Sequence, residues 1–197
     1  MSTLWGIILI DCMFNIQLFK MIRYIIDIVK RFYYRFCTNP TEYARFLGVK
    51  IGSNVLCGYH HWSSEPYLIT IGSNCQLTDC KIHTHGGGNF IRKKVPDFDM
   101  FGKVVIGNWV YIGTGAQIMP GVIIEDNVLV AAGSIVTKSV PSGVIVAGNP
   151  AKIIGYTSDY IQRNLKYNVH SKMMNPKEKK KFLLSLDESS FVSKKYL

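Results

Sequence analysis

Paired cysteines are what this sequence most plainly lacks. Cys12, Cys37, Cys57, Cys75 and Cys80 are odd in number and contain no CxxC spacing, which excludes a complete disulfide framework and a zinc ribbon. A reducing compartment, the cytoplasm, is the simplest expectation. Negative charge is also scarce: 13 acidic residues face 23 Lys and Arg, a net charge of +10. The chain is therefore expected to attract anionic groups such as coenzyme phosphates, acidic glycans or anionic lipid. Much of the excess charge lies in the terminal segments without a recognition motif, so nucleic acid is not an expected partner. Long hydrophobic runs are missing as well. Leu4–Ile10 is broken by Asp11 after seven residues, far short of the roughly 20 a membrane span needs. The opening residues lack the basic stretch and small-residue cleavage site of a secretory signal.

What the chain does have is a six-residue repeat. Ile106-Gly-Asn-Trp-Val-Tyr, Ile112-Gly-Thr-Gly-Ala-Gln, Ile118-Met-Pro-Gly-Val-Ile, Ile124-Glu-Asp-Asn-Val-Leu and Val130-Ala-Ala-Gly-Ser-Ile follow one another, and Val136 opens the next block. Helices repeat near 3.6 residues and half-buried strands near 2, so neither accounts for this spacing. A β-sandwich would show alternation along each strand and a turn every 8–12 residues. Each block is instead one short strand and one corner, and three blocks close a triangular coil. The leading Ile or Val points inward onto the same position of the next coil. A small second residue, often Gly, suits the tight corner.

This pattern resembles the hexapeptide-repeat acyltransferases, whose fold is a left-handed parallel β-helix. Ile135-Val-Thr-Lys-Ser-Val-Pro-Ser-Gly-Val-Ile-Val-Ala-Gly-Asn-Pro-Ala-Lys is similar to that family's ending, with its AGxPAK turn. Tyr43-Ala-Arg-Phe-Leu-Gly-Val-Lys-Ile-Gly resembles the entry of sugar and polysaccharide O-acetyltransferases, and Ser64-Glu-Pro-Tyr-Leu-Ile-Thr-Ile-Gly an element of a capsule-type subgroup. The resemblance covers residues 40–155. It implies a mainly β fold, a left-handed parallel β-helix over residues 41–155, with an N-terminal helical segment (1–40) and C-terminal helices and tail (156–197). Homotrimers with active sites between subunits are implied by the resemblance too.

Read in order, residues 14–36 form one long helix with Lys20, Arg23, Asp27, Lys30 or Arg31, and Arg35 at spacings of three and four and a wide apolar surface elsewhere. It covers the β-helix, packs on a subunit, or lies as a basic amphipathic helix on a membrane, which would make the protein peripheral at the inner membrane. Asn39-Pro40 ends it. Blocks at Ile51, Ile71 and Leu77 follow in phase. The pattern breaks in a loop over residues 83–103, too long for a corner and the natural place for function. Beyond Gly148 the chain leaves the repeat. Ser158 is expected to cap a helix to Tyr167, and Asn175-Pro176 to start another to about Leu186.

Thr84-His85-Gly-Gly-Gly sits where the resembling subgroup carries its catalytic histidine, so the resemblance implies that His85 is the base. The chemistry asks for a group that takes a proton from an attacking hydroxyl and returns it to a leaving thiolate, which neutral imidazole does. Related chains usually have Asp where this one has Gly86. A base histidine needs an acceptor on its other ring nitrogen. Glu65, Asp97 and Asp99 are candidates for that role, Glu65 and Asp99 the favoured two with orienter and substrate ligand not separated, and Asp97 is a candidate substrate contact. Trp62, Phe90 and Trp109 are candidates for a sugar-binding wall, since flat apolar faces suit pyranose rings, although core burial explains aromatics as well.

The resemblance further implies acetyl-CoA as co-substrate, with Thr114, Ala132, Gly133, Thr137, Lys138 and Lys152 at the matching positions. Ala132 and Gly133 equally suit plain corner packing. The reading is an acetyl-CoA-dependent O-acetyltransferase acting on a sugar or glycan, in bacterial surface polysaccharide biosynthesis. The alternatives are an N-acetyltransferase on an amino sugar and a non-catalytic β-helix scaffold. Zinc chemistry of the gamma-type carbonic anhydrases is a third. That class has an H-x4-H pair in later coils, but no histidine here lies between residues 86 and 169. No metal is therefore expected, and His60, His61 and His83 are read as rim or packing residues.

Overall fold

The computed structural model describes residues 2–58 and 61–194. For residues 2–17 and His61 only the backbone is described, and His60 lies outside the described residues. Four full coils and part of a fifth form the body. The first contains β1 (Lys50–Ile51), β2 (Leu56–Cys57) and β3 (His61–Trp62), and the second β4 (Ile69–Ile71), β5 (Gln76–Leu77) and β6 (Lys81–Ile82). The third contains β7 (Val104–Ile106), β8 (Tyr111–Ile112) and β9 (Gln117–Ile118), and the fourth β10 (Ile123–Ile124), β11 (Leu129–Val130) and β12 (Ile135–Val136). Every third strand pairs in parallel. The first face runs β1-β4-β7-β10, the third β3-β6-β9-β12, and the second β2-β5-β8-β11 before continuing into β13 (Val144–Gly148) and β14 (Ala151–Tyr156).

Strands of two or three residues survive because, from the second coil to the fourth, each buries its last side chain against the neighbouring coils. Ile71, Ile106 and Ile124 stack inside the first face, Leu77, Ile112 and Val130 inside the second, and Ile82, Ile118 and Val136 inside the third; none is more than 2% exposed. Each such burial contributes about 1.5–3 kcal/mol. Pairings such as Val105 with Ile123, Tyr111 with Leu129 and Gln117 with Ile135 keep one offset around the third and fourth coils, as the six-residue repeat requires. The first two coils depart from it. Their third side is a block of five residues, Cys57 to Trp62 and Leu77 to Ile82. Asp79, with φ 39°, turns that shortened corner in the second coil.

The corner between the first and second faces takes a left-handed residue in each coil: Asn54, Asn74, Trp109 and Asn127. Asn accepts that conformation readily, and Asn54 Nδ2 donates to Asn74 Oδ1 at 2.8 Å. Trp109, at φ 57° and 63% exposed, is the bulky exception.

At the N-terminus α1 spans Ser2–Cys37, beginning well before residue 14. Asn39-Pro40 does end it, but also starts α2 (Pro40–Phe46): Asn39 accepts from the Glu42 amide at 2.9 Å and Pro40 fills the first turn. The segment expected to lead straight into the first coil is thus a short helix lying on it, with Thr41 and Ala44 buried. At the other end β14 folds back antiparallel on β13. There α4 (Thr157–Asn164) starts from Tyr156 without a side-chain cap, so Ser158 is inside the helix rather than capping it. A 3-10 turn over Leu165–Tyr167 follows, and α5 (Pro176–Leu184) is capped by Asn175, which accepts from the Glu178 amide.

Candidate active site

Two excursions leave the coil, and both leave at the corner between the third and first faces. The first, Ser63–Leu68, follows β3; the second, residues 83–103, follows β6. The second is ordered. Its neck is an antiparallel bridge between His85 and Phe101, flanked by Gly102 N donating to Thr84 O at 2.8 Å and Gly86 N to Met100 O at 3.2 Å. Its tip contains α3 (Gly88–Arg92). Arg92 closes it, with Nε donating to Phe98 O at 2.9 Å and Nη2 to Asp99 Oδ1 at 2.6 Å.

The stacked excursions bring Glu65 under His85. Glu65 Oε2 is 2.9 Å from His85 Nδ1 and accepts from Thr84 Oγ1 at 2.8 Å. Ser63 and Ser64 hydroxyls lie 3.2 and 3.4 Å from the same Nδ1. Thr84 is completely buried, so its hydroxyl fixes the carboxylate from beneath. Glu65's side chain is 16% exposed and His85's 47%, a recessed acceptor holding a presented ring. The hydrogen bond from His85, with those from Ser64 and Thr84, holds the Glu65 carboxyl down at about 2, from an ordinary 4.5. Among the described residues no hydrogen bond engages His85 Nε2. The ring lines a cleft of about 380 Å³ with Glu65, Gly87, Asn89, Arg92 and Phe101.

Asp99 borders this cleft but is committed to Arg92 and does not reach His85; the carboxylate at His85 Nδ1 is Glu65. Asp97 is exposed on the loop and outside the cleft lining. Trp62, Phe90 and Trp109 do not share one cleft among the described residues. Phe90, 87% exposed, points off α3, Trp109 occupies a different corner, and half-buried Trp62 lines a neighbouring cleft. His83 is half-buried with Nε2 3.2 Å from Gln117 Oε1. No three metal-ligating side chains converge among the described residues.

The coenzyme candidates are exposed and divide between corners. Thr137 and Lys138 follow β12 on the column that carries His85, whereas Thr114, Ala132 and Gly133 form the corner between the second and third faces. Lys152 is on β14. Sequence reasoning passed over Ser63, Ser64 and Thr84 as hydrogen-bonding partners of the Glu65–His85 pair. Ser63 and Ser64 immediately precede Glu65, and Thr84 precedes His85, a signal that becomes readable only once the excursions stack.

A coil of this kind, with a carboxylate-held imidazole beside a cleft, defines a hexapeptide-repeat transferase. The family model described as bacterial transferase hexapeptide (six repeats) matches residues 103–138. Protein CapG of Staphylococcus aureus is 45% identical over 148 residues, covering 72% of this chain and 85% of CapG. The chain belongs to the hexapeptide-repeat acyltransferase family. The galactoside O-acetyltransferase of Escherichia coli is 32% identical over 61% of this chain and 60% of its own length. A solved galactoside acetyltransferase in complex with coenzyme A has a TM-score of 0.49 at 22% identity, over 67% of this chain and 79% of that one.

Proposed function

We propose that this protein transfers an acetyl group from acetyl-CoA to a sugar hydroxyl in bacterial surface polysaccharide synthesis. His85 is the general base. One observation carries the reading: Glu65 engages Nδ1 and leaves Nε2 free beside a cleft. With Nδ1–H donated to the carboxylate, Nε2 has its lone pair for the acceptor. It takes the hydroxyl proton as the oxygen attacks the thioester carbonyl. The tetrahedral intermediate then collapses, the C–S bond breaks, and Nε2–H returns the proton to the thiolate. The products are the acetyl ester and free coenzyme A.

Thr137 and Lys138 sit two coils beyond His85 on one corner column, roughly 10 Å at about 4.8 Å per coil. That span suits a pantetheine arm running along the corner toward the imidazole, with Lys138 available to phosphate. The left-handed sense of the coil and assembly as a homotrimer belong to the same proposal, through the family. A neighbouring subunit would complete the acceptor cleft that one chain leaves open.

The test is thiol release from acetyl-CoA with panels of galactosides, sugar nucleotides and lipid-linked glycans. His85→Ala is expected to lose about 100- to 10,000-fold in rate while its mass in solution stays unchanged. An unaltered rate overturns the assignment of the base.

A further inference from the structure

From Leu18 to Cys37, α1 is divided lengthwise. At 3.6 residues per turn, Leu18, Ile22, Ile25, Val29, Phe32 and Phe36 run along the centre of one half, while Lys20, Arg23, Asp27, Lys30, Arg31 and Arg35 occupy the other. Where α1 approaches the body, from Asp27 to Tyr34, the polar half is the side that meets it. Asp27 and Arg31 line a cleft with Trp62, Ser63 and Ser64, and Tyr34 stacks on Phe46 of α2 with centroids 4.3 Å apart. The apolar half is turned away. Phe19, Phe32 and Phe36 are 68%, 63% and 66% exposed, and among the described residues no element covers them. An apolar face about 30 Å long is thereby presented outward.

Two features of α1 choose its occupant. Five cations against one anion lie on this stretch, and Lys30 and Arg35 sit near the edges of the apolar half, placed to reach phosphates at an interface. The apolar half also covers about half the circumference, wider than the stripe a helix seam uses, and like charges would oppose parallel copies. No helix among the described residues is long and apolar enough to cross a membrane. We propose that the outward half of α1 binds the surface of an anionic lipid bilayer, lying in its plane with Lys30 and Arg35 at its edges against the lipid phosphates. This rests on α1 alone and stands whether or not the acyl-transfer reading holds.

The full chain is floated with vesicles of phosphatidylcholine mixed with phosphatidylglycerol, and with phosphatidylcholine alone. Expected is flotation with the mixed vesicles, weakening as salt rises and at least tenfold weaker on the neutral ones. Ile25→Asp with Phe32→Asp abolishes flotation, and Lys30→Glu with Arg35→Glu reduces it at least tenfold. Both pairs are exposed, so the thermal unfolding midpoint stays at the parent value. No flotation of the parent overturns the proposal. So does a fall in oligomer mass of the Ile25→Asp, Phe32→Asp chain in light scattering without a loss of lipid binding, because a second copy would then cover the face.

Discussion

Glu65 and His85 are twenty residues apart in the chain and one coil apart in space, with Oε2 2.9 Å from Nδ1. The pair exists because both excursions leave the same corner on successive coils. Glu65→Gln keeps the shape and offers an amide where the carboxylate stood, so under the proposed mechanism the ring loses the partner that fixes its tautomer and the charge that would favour an imidazolium during transfer. We expect kcat to fall by at least an order of magnitude, tenfold being about 1.4 kcal/mol of barrier, with assembly unaltered. A steady-state rate equal to the parent's would remove Glu65 from the mechanism.

The same carboxyl has a pH signature. Its folded value lies near 2, below an ordinary 4.5, chiefly through the His85 hydrogen bond. A depressed value means the folded state prefers the ionised form. This contribution to stability is complete above the ordinary value and is lost as pH falls through the folded one. A carbon-13 titration of Glu65 should therefore show it still ionised at about pH 3, and His85→Ala should return the midpoint toward the ordinary range.

Gly86 and Gly102 stand on opposite sides of the loop neck and answer differently to an added methyl. A Cβ at Gly102 would meet the Gly121 amide nitrogen at 2.3 Å, so Gly102→Ala must move backbone and is expected to cost about 2 kcal/mol or more. At Gly86 the obstacle is the Met100 methyl at the end of a flexible side chain. Gly86→Ala and Gly86→Asp should change the unfolding midpoint little. Thermal denaturation of the three variants checks the order.

Thiol reactivity should follow burial. Cys80 is 1% exposed, and burial pushes its thiol up to about 12; burial also raises Cys75 and Cys57. Cys37 is exposed. Alkylation of the native protein near pH 8, where only thiolate reacts appreciably, is expected to label Cys37 within minutes and Cys75 and Cys80 only after denaturant is added. Peptide mass spectrometry reads the order.

The regular coils could be read from the chain because every inward position from Ile106 to Val136 is a β-branched residue at a fixed interval, and burial demands that interval. The five-residue sides were harder. Cys57 to Trp62 and Leu77 to Ile82 are short by one, a change visible only against the neighbouring coil. Asn39-Pro40 carries a stop and a start at once, and the start was missed because a seven-residue helix has little periodicity to show. Glu65 and Asp99 were indistinguishable in sequence. In the structure Arg92 pairs with Asp99 and leaves Glu65 as the carboxylate in contact with His85, and a loop tip's internal pairing leaves no spacing to read.

Strand pairing resumes on the far side of each excursion as if nothing had been inserted: Trp62 lies beside Ile82, and Ile82 beside Ile118. The prism does not register how much chain is spooled out at that edge. Scaffold and excursions are consequently separate parts of the molecule, and the loops at that one ridge can be exchanged wholesale while the stacked isoleucines beneath keep their places.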